Sequence, residues 1–194
     1  MLSLVDAIAL KTTVLIHAGT AVNCPHAVQA FRRRPMGYTL DQFASDCRSV
    51  LQADAGIAGQ TKVCEYVSKA LNDADFVEAQ LGQATEERAV IYQDADLGFC
   101  ICAHSYTGEK QGNPHDHGPT WAIYGQAVGE TSMTDWKIVK QPAGDQPGEV
   151  VKTDTYVMKP GDAHLYPVGA VHAPYRDAPT KLIRVEGVDT MTVK

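Results

Sequence analysis

The chain has 194 residues, 44% of them hydrophobic, which is enough to bury the core of one domain, or of a barrel with a helical preface. Its net charge of −6 argues against a general binder of phosphate backbones. The basic run Phe31-Arg32-Arg33-Arg34-Pro35 is too short and isolated to reverse that, and reads as a solvated connector rather than a nucleic-acid patch.

The first thirty residues are ambiguous and are read as a helix packing on the barrel or on a partner subunit, which makes a homodimer an expectation. The start, Met1-Leu2-Ser3-Leu4-Val5-Asp6, lacks a positive leader, and Asp6 and Lys11 interrupt its apolar character, so neither a signal peptide nor a membrane span is expected. Five cysteines without a Cys-x-x-Cys pair fit reduced thiols in the cytoplasm better than a disulfide framework.

From Thr39, apolar residues recur at Leu40, Phe43, Ala44, Cys47, Val50 and Leu51, the period of a helix with one buried face. Thr39 and Gln42 form a capping box, and Gly56 lies just past the end. A second helix is expected over Ala58 to Leu71 and a short third over Asp75 to Leu81. After Gly82 the period changes to two. Ala89 to Tyr92 and Leu97 to Cys102 flank Asp94-Ala95-Asp96 as a hairpin. Further strands are expected over Trp121–Val128, Ser132–Val139, Asp154–Met158, Ala163–Tyr166, His172–Tyr175 and Lys181–Val185, with Gln141 to Gly148 as a turn-forming loop. Short antiparallel strands with frequent turns suit a jelly roll.

Within this β region lies a histidine constellation in two parts. If Pro114-His115-Asp116-His117 is extended, His115 and His117 project from one face while Asp116 points away, so the two imidazoles can share an ion. His172 is the natural third ligand, delivered by the turn Pro167-Val168-Gly169-Ala170-Val171, with Pro167 presetting φ and Gly169 permitting positive φ. Imidazole suits Fe, Zn, Cu and Ni. His17 and His26 lack a partner motif and are read as structural or solvated.

The run from Gly161 to His172 matches the second cupin motif, Gly-x5-Pro-x-Gly-x2-His, at every fixed position, and His115-x-His117 followed by Gly129 is similar to the first, with Gly108 one residue out of register. The chain thus resembles the cupin superfamily over roughly residues 88 to 190. The glutamate of the first motif falls on Ala122. Three histidines without a carboxylate, with Gly129-Glu130-Thr131 downstream, resemble the cysteine dioxygenase-like thiol dioxygenases. The resemblance implies a mainly β cupin jelly roll, also called a double-stranded β-helix, behind an N-terminal helical region. The expected division is 1–84, helical and packed on the barrel, and 85–194, the barrel with its metal site. It also implies mononuclear Fe(II), with Zn, Ni or Mn as the other ions to consider.

Strand parity suggests the remaining pocket. If Ala122 is inward, so are Tyr124, Gln126 and Val128, while Trp121, Ile123 and Ala127 face out. Arg176 and Pro174 share the face of His172. The Ser-x-His-x-Tyr run of thiol dioxygenases aligns on Leu182, Arg184 and Glu186, so that triad is missing, and Ala122 also removes any Cys–Tyr crosslink. Arg184, Tyr124 and Arg176 are therefore the candidate substrate-binding residues, an inward guanidinium being suited to a carboxylate. Glu186 is a candidate to neutralise Arg184, to act as a base or to supply a fourth ligand, with a rim ion pair to Arg184 as its simpler reading. His164 is a candidate acid/base group, and His104 a weaker one. These residues point to an Fe(II)-dependent dioxygenase using O2 on a small anionic substrate. A thiol acid is the first expectation and C–C cleavage of a small organic molecule the second. The rivals are a metal-dependent lyase, isomerase or hydrolase on the same histidines, and a non-catalytic ligand-binding cupin.

Overall fold

A computed structural model of the protein describes residues 37–143 and 146–193. The expectations for the first thirty residues, for Phe31 to Pro35, and for His17 and His26 lie outside them. Three helices come first: α1 (Leu40–Ala53), α2 (Ile57–Leu71) and α3 (Ala74–Leu81). The Thr39 hydroxyl accepts from the Gln42 N–H at 3.1 Å, but the Gln42 side chain turns to Asp46, so only half of the capping box forms. Gly56 caps the start of α2 rather than the end of α1, which closes on Asp54.

Nine strands follow among the described residues: β1 (Ala89–Gln93), β2 (Cys100–Tyr106), β3 (Lys110–Gln111), β4 (Ala122–Val128), β5 (Thr131–Lys140), β6 (Glu149–Met158), β7 (Ala163–Tyr166), β8 (Val171–Arg176) and β9 (Thr180–Glu186). They form two sheets, in the orders β1-β2-β9-β4-β7 and β3-β8-β5-β6, with every strand pair antiparallel. This is the mainly β jelly roll behind a helical region that the sequence led us to expect. No helix among the described residues is long and apolar enough to cross a membrane.

The larger core lies outside the barrel, between the helices and the outer face of the five-stranded sheet. Phe43, Cys47, Val63, Val67 and Phe76 meet Phe99, Ile101, Ile123, Ile183 and Val185 there. Ile123 therefore does face away from the barrel, but into a buried layer rather than into water. The inner layer of Ala122, Tyr124, Met133, Met158, Tyr166 and Leu182 is smaller and more aromatic. Helix α2 sits so close to β4 that a Cβ on Gly125 would lie 2.4 Å from Val67 Cγ1 and 2.6 Å from Leu71 Cδ1.

Parity holds along β4 until a bulge between Gln126 and Val128, after which Val128 turns to solvent rather than inward. Gln126 is locked in place. Its amide donates to the carbonyls of Val128 and Gly129 and its carbonyl accepts from Thr131, which fixes the turn into β5.

Candidate metal centre

The segment carrying His115 and His117 is not a strand. His115 forms a single antiparallel bridge with His172, its N–H donating to the His172 carbonyl at 3.0 Å and its carbonyl accepting at 2.9 Å. Beyond it the chain turns: Asp116 Oδ1 accepts from the Gly118 N–H at 3.0 Å, Gly118 has φ +60°, and Pro119 follows. Two prolines and a positive φ within six residues prevent a continuous ladder. His115 and His117 are thus not placed by strand alternation, contrary to expectation. The bridge itself brings the first half of the constellation to the second.

The three rings nonetheless converge. Their centroids are 5.6 Å (His115 to His117), 4.7 Å (His115 to His172) and 5.1 Å (His117 to His172) apart, and one ligand nitrogen from each lies within 4.8 Å of the others. The Nδ1 of His172 is 3.0 Å from the Ala170 carbonyl, and that of His115 is 2.8 Å from the Asn113 carbonyl. A carbonyl can only accept, so Nδ1 carries the proton and the Nε2 lone pair is left free. The Nε2 of His172 is buried without a hydrogen-bond partner. Such an atom costs free energy unless something completes it. The Nε2 of His117 meets only the Tyr124 hydroxyl, at 3.3 Å. Burial, reinforced for His117 by Arg184, pulls the pKa of His117 down to about 3 and that of His172 to about 4, so both imidazoles are neutral, as ligands must be. These residues fit a metal ion of the imidazole-binding class.

The groups around the cluster sort into three sets. A hollow of about 360 Å3 is lined by His115, His117, Gly118, Pro119, Arg184 and Thr190. Tyr124 is buried with its ring 5.3 Å from that of His172, and it receives a hydrogen bond from Arg184 Nη1 at 3.3 Å. Burial raises its pKa, so the phenol keeps its proton. Arg176 is 3% exposed, with its guanidinium 4.3 Å from the Tyr106 ring centre, and among the described residues it has no ion-pair partner.

Glu186 does not form a rim pair. It is fully buried and ion-paired to Arg184, while its Oε2 accepts from Arg88 at 3.0 Å and from the N–H and hydroxyl of Thr190 at 3.0 and 3.1 Å. Burial opposes its charge, but Arg184, Thr190 and Arg88 outweigh that and hold its pKa at about 2. His164 stands one ring away from the cluster. It packs on Tyr166 at 4.7 Å, Tyr166 stacks on His172 at 3.8 Å, and His164 itself lines a separate hollow of about 490 Å3. His104 is buried, with Nδ1 2.6 Å from the Glu87 carbonyl.

Sequence reasoning passed over Tyr166, whose ring walls His172, although its parity with His164 was a usable signal. It also passed over Arg88 and Thr190, which reach the site from outside either motif and carry no signal of their own.

No protein-family model and no curated protein matches the sequence. Similar solved structures include KdgF from Halomonas sp., at 15% identity over 51% of this chain and 76% of that one, TM-score 0.39. A cupin-2 domain containing protein from Shewanella frigidimarina shares 13% identity over 56% and 88%, TM-score 0.40. Hydroquinone 1,2-dioxygenase from Sphingomonas sp. TTNP3, solved with 4-hydroxybenzoate bound, shares 18% over 55% and 68%, TM-score 0.40.

Proposed function

We propose that this chain is a mononuclear non-heme Fe(II)-dependent dioxygenase of the three-histidine kind, acting on a small anionic substrate, with a thiol acid as the leading class. The observation that carries the reading is a three-imidazole cluster, with His117 and His172 neutral, beside a barrel interior rich in guanidinium groups. Among the described residues Arg88 and Arg184 are ion-paired to Glu186 and Asp189, while Arg176 has no ion pair. Ferrous iron held by His115, His117 and His172 would supply the redox chemistry with O2, and three neutral ligands leave its +2 charge uncancelled.

The other residues then have definite tasks. Arg184 is already balanced by Glu186, so its part is to hold the Tyr124 hydroxyl. Arg176, unbalanced and buried, binds the substrate carboxylate through its planar fork. Tyr124 offers a protonated phenol beside His117. Tyr166 and Met133 keep water from the rear of the cluster. A hydrolase or lyase on this site would want a base, and the carboxylate inside the barrel, Glu186, has a pKa of about 2 and is a poor one. That weighs for oxygen chemistry.

Anaerobic purification with metal analysis, followed by O2-uptake assays across thiol acids and simple carboxylic acids, tests the reading. Iron near one equivalent with O2 consumed alongside a thiol acid is expected. Bound zinc and no O2 uptake with any member of the panel would overturn it.

A further inference from the structure

On β2, Cys100 and Cys102 share the inward face, and Cys100 lies directly opposite Glu186 of β9. All three are fully buried. The two sulfurs are 3.7 Å apart, Cys100 Sγ is 3.7 Å from Glu186 Oε2, and one ligand atom from each residue lies within 4.8 Å of the others. Two thiolates bound tetrahedrally at about 2.3 Å from an ion sit about 3.8 Å apart. Alternate Cα atoms on a strand are about 6.7 Å apart, near the upper limit for a disulfide, so ligation suits this pair better than oxidation.

A second observation concerns the carboxylate. Its Oε2 is engaged by Arg88 and Thr190, while its buried Oε1 is ion-paired to Arg184 alone, which leaves that oxygen a lone pair for an ion. Charge is consistent too. A divalent ion that displaces the two thiol protons leaves the net charge of the cluster unchanged. The resulting dithiolate-carboxylate complex carries −1 and faces the guanidiniums of Arg88 and Arg184. Neutralising partners around a ligating carboxylate are what fix its orientation in metal sites generally.

We propose that Cys100, Cys102 and Glu186 form a second metal site, for a thiophilic divalent ion of the zinc class, separate from the three histidines. Binding converts two thiols to thiolates, releases two protons and changes no oxidation state. Softer donors direct such an ion here rather than to the imidazoles. The ion would tether β2 to β9 and hold Glu186, and through it Arg184 and Tyr124, in place. This site does not depend on the dioxygenase reading.

The test uses a His115→Ala/His172→Ala background, in which the histidine cluster is disabled. Metal-free protein is refolded with Co2+. A thiolate-to-cobalt charge-transfer band saturating at one equivalent is expected, with about two protons released per ion. Adding Cys102→Ser should abolish the band while far-ultraviolet circular dichroism stays unchanged. In case that variant does not fold, 113Cd NMR of the unmutated protein should show a resonance in the sulfur-ligated range. A band that survives Cys102→Ser overturns the proposal, as does a folded protein giving neither the band nor the sulfur-ligated cadmium signal.

Discussion

Arg176 and Arg184 both point into the barrel, and their environments differ in one respect that separates their roles. Arg184 has Glu186 as a buried counter-ion and Tyr124 as an acceptor, whereas Arg176 lies on the face of Tyr106 and has no ion pair among the described residues. Burial pulls the pKa of Arg176 down, the sign of a charge held at a cost. Removing an uncompensated buried charge relieves the fold, while removing one partner of a buried pair harms it. Arg176→Gln should therefore raise KM for an acid substrate by roughly 10- to 100-fold, the worth of about 1.5–3 kcal/mol for a hydrogen bond to a charged group, with Tm unchanged or higher. Arg184→Gln should lower Tm. Unchanged KM in the Arg176 variant, measured by O2 uptake, would remove it as the carboxylate clamp.

At the level of elements, close approach is enforced by glycine at two places with different tolerance, β4 against α2 at Gly125 and α2 against the α1–α2 turn at Gly59. At Gly125 an added methyl meets the ends of Val67 and Leu71, which can shift; at Gly59 it meets the Asp54 carbonyl oxygen at 1.7 Å, which cannot. Gly125→Ala should cost about 1–3 kcal/mol, the usual penalty for overpacking, and Val67→Ala in the same chain should recover part of it. Gly59→Ala should cost more, because the α1–α2 turn must open. Urea denaturation of the three variants gives the order. An equal loss for Gly59→Ala and Gly125→Ala would show that α2 is free to slide on β4.

The same layering explains what could be read in advance. Strand β2 stood out as an apolar run because both of its faces are covered, one by helices and one by the barrel interior. Helices α1 and α2 bury one stripe each, so their 3.6 period was visible. Strand β6 begins at Glu149 rather than Asp154, and its first half was missed because it is exposed on both faces and has no alternation to detect. Strand β3, two residues long, has no period at all. The histidines were legible as residue types and spacing. Their convergence comes from one backbone bridge, His115 to His172, and from carbonyls of Asn113 and Ala170 that no side-chain pattern encodes.

For the whole molecule, the barrel interior sets the response to acid. Burial pulls the pKa of His104 and of His117 down to about 3 and that of His172 to about 4, whereas an unfolded chain titrates its histidines near 6.5. Between pH 6.5 and about 4 the unfolded chain thus binds more protons, and stability falls as acid is added. The slope is at most about 1.4 kcal/mol per pH unit for each imidazole. Glu186 acts lower down. Its carboxyl is depressed from 4.5 to about 2, so the stability it contributes is complete above pH 4.5 and is lost as the pH falls toward 2. Urea midpoints in the presence of chelator should therefore begin to drop near pH 6.5 and keep dropping below 4.5. A flat profile from pH 7 to 5 would mean that the imidazoles are hydrated in the folded state. His104→Gln removes one buried imidazole without touching the histidine cluster and, with His164 also pulled down by burial, should shallow the upper slope by at most about a third. Metal-loaded protein should start more stable and fall more steeply through the same window, because protons compete with the ion for the same nitrogens.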